Sequence, residues 1–233
     1  ATGGFIGLVV EATVDKGELT QLRYLESTGV DGPLYDLNPP APEPIYRYLW
    51  ISKLLFRDAN WNPHFPSAAA QLADIYQRAQ EVRVDGVLAV TEEVILDMVD
   101  AFGGIRVPEV PGLLNRDQAE RYVEGDLLYV CLPRHVSNRT KRCFDEDLFQ
   151  ATIERLTSTV SDEERARMVE TVLKRLARKD VLMHLFDPDA SELLWEQGWN
   201  GALTQVDHDY LLVIDSAVPG HARRVVERAL HYQ

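Results

Sequence analysis

The chain has 233 residues, 45% hydrophobic and 26% charged, an ordinary globular balance in a length that allows one sizeable core. Its formal net charge of −13 argues against nucleic acid or an anionic membrane surface as a partner of the chain as a whole. Any anion site must therefore be a local basic cluster that works against the overall field.

No apolar run approaches the roughly 18 residues of a membrane span. The chain lacks an initiator Met, and its first residues, "ATGGFIGLVVEATV", read as a strand already under way. The expectation is an excised piece of a longer protein whose membrane anchor lies upstream. Cys131 and Cys143 are too few for a disulfide framework. They either close one loop in an oxidising compartment or stand as two separate thiols. No second Cys or His pair has zinc-ligand spacing.

In chain order, "GFIGLVVEATV" and "LTQLRYLE" alternate as two strands of a hairpin, with Gly17 suited to the positive φ of the turn. Residues 27–44 are rich in Gly, Pro and Asp and predict a long loop, a natural cover over a groove. "EPIYRYLWI" predicts a short helix. Pro66-Ser67 opens a longer one with Ala69, Leu72, Ile75 and Tyr76 on its apolar face. "VDGVLAV" reads as a buried strand. Thr91 caps a helix ending at Gly103-Gly104, and "IRVPEV" reads as an edge strand, which together suggest a right-handed crossover. Asn115 caps a short helix, and the stretch 127–144 is basic and irregular. A helix is expected from Asp145, and a capping box at Ser161–Glu164 opens another. "DVLMHLF" predicts a strand and "DASELLWEQGW" a helix. Further strands are expected at 209–216 and after Pro219-Gly220. The fold class is α/β (α+β), a mixed sheet covered by helices in one domain over 1–233.

Two constellations carry chemistry. Arg57-Asp58 sits in a loop stiffened by prolines and aromatics, "RDANWNPHFP". The plain structural reading is a local ion pair or Asx turn. The functional one is a preorganised anion holder: a guanidinium grips phosphate oxygens bidentately while Asp58 orients it or binds Mg²⁺, with Asn60 nearby. The second is "PRHVSNRTKRC", where Arg134, His135, Arg139, Lys141 and Arg142 crowd nine residues. Its plain reading is a solvated basic loop ahead of the acidic run Asp145-Glu146-Asp147; its functional reading is a diphosphate clamp facing Arg57. The remaining histidines are scattered. No Gly-x-Ser-x-Gly elbow is present. The glycines of "TGGFIG" precede a strand instead of following one, which rules out a dinucleotide loop.

Taken in order, "TGGFIG", "RDANWNPHFP", "VDGVLAV", "FGGIRVPEV", "QGWNGAL" and "DYLLVIDS" resemble the bacterial domain of unknown function 4012 family. That pattern is in turn similar, more distantly, to the LytR-CpsA-Psr cell-wall phosphotransferases: an Arg-Asp loop, a strand-helix-"GG"-strand unit, a "QAERYV" helix and an Arg-x-x-Arg ahead of a helix. The resemblance implies a LytR-CpsA-Psr-like fold on the outer side of the membrane. It also implies a polyprenyl-(pyro)phosphate-linked glycan as ligand, with Mg²⁺ at Asp58. Arg57, Asp58, Arg139 and Arg142 would carry the transfer, assisted by Asn60, Arg134 and Lys141. Cys143 and Phe144 stand where that enzyme family has two glutamines, so a relative can keep the fold and lack the activity. The alternative is a non-catalytic binding or scaffold domain in envelope polysaccharide assembly.

Overall fold

The computed structural model describes residues 4–136, 140–204 and Asp207. The strands expected at 209–216 and after Pro219-Gly220 lie outside the described residues.

The opening hairpin pairs β1 (Leu8–Asp15) with β2 (Glu18–Glu26), and the register shifts between Thr13 and Val14. Lys16 and Gly17, at φ 51° and 86°, make the turn, the two positive dihedrals that a tight hairpin of this twist demands. One face of the hairpin packs through Val9 and Leu25 on α3 (Phe65–Gln80), at Leu72, Ile75 and Tyr76. A polar clasp reinforces that contact. Glu11 accepts from Arg23 at 2.6 Å and from the Tyr76 hydroxyl at 2.5 Å. These two bonds, the Tyr76 one foremost, hold the Glu11 carboxyl below its usual range.

Residues 27–44 are not the open cover expected from composition. They form α1 (Ser27–Val30), a 3₁₀ turn over Gly32–Leu37, and the start of α2 (Glu43–Leu49). The reason is Asp31, a buried carboxylate that accepts from the Asn38 amide at 2.7 Å and from the Phe56 N–H at 2.9 Å. Lys53 Nζ adds bonds to the Asp36 and Asn38 carbonyls. Satisfying so many backbone groups internally pins the segment.

After α3 come β3 (Gly86–Val90) and α4 (Glu92–Ala101). Thr91 stands at the cap position, but its buried hydroxyl has no hydrogen-bond partner among the described residues. Among the described residues the expected crossover does not form. The partner of β3 is β4 (Val181–Leu185), antiparallel, from Gly86 opposite Leu185 to Val90 opposite Val181. Among the described residues, 105–110 give only a bridge between Ile105 and Leu114. Pro108 removes a ladder donor and Glu109, at φ 63°, turns the chain away.

α5 (Arg116–Val123) starts with a capping box between Asn115 and Gln118. α6 spans Thr140–Thr157, so it begins five residues before the predicted Asp145. α7 (Asp162–Ala177) opens on the Ser161–Glu164 box, and α8 (Pro188–Glu196) is capped by Asp187.

The largest core joins α4, α5 and α6 to the 105–114 segment through Phe102, Ile105, Val107, Phe144 and Leu148. The β3–β4 pair packs one face on α3 through Val87, Ala89 and Leu182. Its other face meets α4 and α7 through Val181, Val94 and Leu176. Arg175 of α7 is only 7% exposed and bonds Asp97 and Asp180, while Arg116 of α5 bonds Asp97, Glu93 and Glu120. Burial alone would raise the Asp97 carboxyl, but Arg175 and then Arg116 hold it below its ordinary value.

Candidate functional site

The Arg57-Asp58 pair lies in a 3₁₀ turn, Phe56–Trp61, that seats Ala59 and Asn60 in the interior. The Ile6 N–H donates to the Arg57 carbonyl at 2.9 Å, and the Ser27 hydroxyl donates to the Ile6 carbonyl at 2.5 Å. These bonds lay "GFIG" across the turn and bring Phe5 under the arginine. The Arg57 guanidinium carbon stands 5.6 Å from the centre of the Phe5 ring. The Arg142 guanidinium carbon, from the first turn of α6, stands 5.3 Å from the same centre. Two arginines 85 positions apart in sequence therefore converge on one aromatic ring, within cation–π range of it.

Each guanidinium also has a carboxylate. Arg57 Nε lies 3.4 Å from Asp58 Oδ2, and Arg142 bonds Glu26 at the end of β2. Burial raises the Asp58 carboxyl above its usual range. Arg57 opposes that shift, and the nearby Asp31 charge adds to it. Asp58 is thus a carboxylate held in a setting that disfavours its charge, which is common where a carboxylate has work to do.

The rest of the basic loop is engaged elsewhere. Asp147 of α6 is buried and accepts from Arg134 Nη2 and from His135 Nε2, each at 2.8 Å, and from the Tyr129 hydroxyl. His135 Nδ1 in turn accepts from the Leu132 N–H at 2.7 Å. Glu146 accepts from the Val136 N–H at 3.1 Å. The acidic run thus anchors the loop, with Arg134 and His135 both bonded to Asp147. The predicted Arg139 and the Lys141 side chain lie outside the described residues. Cys131 and Cys143 are joined as a disulfide, with Cα atoms 5.5 Å apart. The bridge fixes the residue next to Arg142.

Of the predicted site, the structure brings Arg57, with its neighbour Asp58, and Arg142 to one ring; it buries Asn60 in the same turn as Arg57 and pairs Arg134 with Asp147. Phe5, Glu26 and Asp31 were missed. Phe5 lay in the conspicuous "TGGFIG" stretch; the two carboxylates carried no local signal. Among the described residues, no three His, Cys, Asp or Glu side chains gather into a group able to hold a metal ion. No helix among them is long and apolar enough to cross a membrane. Among these residues Asp58 would meet a cation without a ready-made group of three such side chains around it.

The family model "Protein of unknown function (DUF4012)" matches residues 1–127, just over half of the chain. The chain belongs to this family. No curated protein and no solved structure matches it. For this DUF4012 member the matched span contains Phe5, Glu26, Asp31, Arg57, Asp58 and Asn60, while Arg142 comes from the chain beyond the match.

Proposed function

We propose that the Phe5–Arg57–Arg142 cluster binds a phosphate or diphosphate group on a lipid-linked glycan, in a domain that works outside the cytoplasmic membrane. The observation that carries the reading is the convergence of Arg57 and Arg142 on one ring. Guanidinium forks match phosphate oxygens, and phosphoryl chemistry needs placement and charge neutralisation more than a nucleophilic side chain. The aromatic ring, within cation–π range of both guanidiniums, limits their rotamer freedom before a ligand arrives. An incoming phosphate would displace Asp58 and Glu26 from the two arginines. A Mg²⁺ ion would enter with the phosphate oxygens and take Asp58 as its protein ligand, the usual mode for this reluctantly dehydrated cation. The Cys131–Cys143 bridge supports an oxidising compartment. The distant likeness to LytR-CpsA-Psr phosphotransferases points the same way.

A second reading, a non-catalytic scaffold, draws on a different fact: both guanidiniums are already paired with carboxylates. Thermal-shift titration with geranyl diphosphate and Mg²⁺ separates the two. Binding predicts a stabilisation that Arg57→Ala and Arg142→Ala each abolish. No shift in the parent protein leaves the scaffold reading.

A further inference from the structure

Two of the sequence stretches that carry the family likeness, "NPHFP" and "QGWNGAL", play no part in the arginine cluster, yet the fold joins them. The Phe65 N–H donates to the Gly201 carbonyl at 3.2 Å, and the Leu203 N–H donates to His64 Nδ1 at 2.9 Å. Gly201 sits at φ 61°, and a Cβ there would come within 2.9 Å of the Leu182 side chain and 3.0 Å of Phe65 Cβ. A larger residue would be strained at this positive φ and would push on both neighbours.

The junction forms one wall of an open hollow of about 400 Å³. The other wall is one face of α8. Pro188, Ser191, Glu192 and Trp195 line it, at the i, i+3, i+4, i+7 spacing that places them on a single helical stripe. Leu194 turns the opposite way into the interior. Trp195 is 53% exposed, so a large aromatic surface faces solvent beside an alcohol and a carboxylate. On the facing wall, His64 Nδ1 is occupied by the Leu203 N–H, which leaves Nε2 as the donor of the neutral ring. The Asn200 side-chain oxygen accepts from the Ala202 N–H at 3.0 Å, which leaves its amide nitrogen as a donor.

We infer that this hollow binds a neutral saccharide, one or two sugar rings in length, with a C–H face of a ring against Trp195. The chemistry selects that class. A sugar ring offers an apolar face edged by hydroxyls that both donate and accept. The hollow offers a flat aromatic and, around it, an acceptor (Glu192), two donors (His64 and Asn200) and a hydroxyl that does either (Ser191). The volume falls at the lower end of the roughly 300–1,000 Å³ of small-molecule sites. The carboxylate of Glu192 disfavours an anionic ligand here, in contrast to the arginine cluster. The inference stands without the phosphate reading.

Saturation-transfer NMR on the full chain, with N,N′-diacetylchitobiose and cellobiose as probes, tests it. The expected result is transfer to ring C–H protons for at least one sugar. Binding should weaken roughly tenfold in Trp195→Ala and stay within a factor of about two in Trp195→Phe. Glu192→Gln, an exposed isosteric change, should also weaken it. Arg57→Ala should leave it intact, and Trp195→Ala should leave any geranyl diphosphate shift intact. No transfer with either sugar, or equal transfer in parent and Trp195→Ala, overturns the proposal.

Discussion

Asp58 and Asp97 are both carboxylates beside arginines, yet their surroundings move them in opposite directions. Asp97 sits between Arg175 and Arg116 and is held below its ordinary range despite burial. Its contribution is fully present above the unfolded-state value and is lost as pH falls through the folded one. That is the behaviour of a structural ion pair. Asp58 is raised, first by burial, and Arg57 at 3.4 Å does not compensate. The sign is then reversed: the folded state holds the Asp58 proton more tightly than the unfolded chain. The Asp58 contribution is most favourable below the usual carboxylate range and is lost as pH rises through its folded-state value. Asp58→Asn removes that cost. At neutral pH the variant should be more stable than the parent by roughly 0.5–2 kcal/mol. The difference should vanish in acid, where the parent carboxyl is protonated. Urea denaturation of both proteins across that pH range measures it. A destabilised Asp58→Asn at neutral pH would mean that the Arg57 contact outweighs the burial.

α6 shows what an element adds to such a site and why part of it was hidden. Its first turn carries Arg142 to Phe5 and Cys143 to the bridge, while its second carries Asp147 to Arg134 and His135. The disulfide and the Asp147 anchor therefore fix from two sides the turn that delivers Arg142. Replacing both cysteines by Ala should cost about 2–4 kcal/mol in denaturant unfolding, from the freed loop of the unfolded chain. It should also reduce any diphosphate-induced shift, because Arg142 loses its neighbouring tether. Unchanged unfolding on reduction would show that the anchor alone holds the turn. The start of α6 was not legible. Asp145-Glu146-Asp147 mimics the acidic first turn of a helix, whereas two of those side chains serve the preceding loop. By contrast, the starts of α5 and α7 were legible, since a capping box is a purely local pattern.

At the scale of the whole molecule, local pattern and long-range geometry part company. The hairpin, α3, β3 and β4 follow from periodicity and turn chemistry, and the α/β composition with them. The pairing of β3 with β4 joins segments about 95 positions apart, and nothing in either strand names its partner. The site divides in the same way. Arginines of the right kind were visible, but that Arg57 and Arg142 share Phe5, while Arg134 turns to Asp147, depends on tertiary contacts alone. One property does belong to the chain as a whole. The formal charge is −13, and Asp58 and Glu26 neutralise the two arginines one for one. Beyond a few ångströms these four side chains largely cancel one another, so on the phosphate reading an approaching anion meets chiefly the field of a chain of net charge −13. Most anion sites bind more slowly as salt rises, because salt screens an attraction. On the phosphate reading, salt here screens a repulsion. Raising ionic strength from about 10 mM to about 150 mM shortens the Debye length from roughly 30 Å to 8 Å. The association rate of geranyl diphosphate should then rise, by roughly two- to fivefold. Stopped-flow tryptophan fluorescence can follow it, since Trp61 ends the turn that holds Arg57. A rate that falls with salt would mean that further positive charge faces the ligand and that the pairwise neutralisation of the arginines is incomplete.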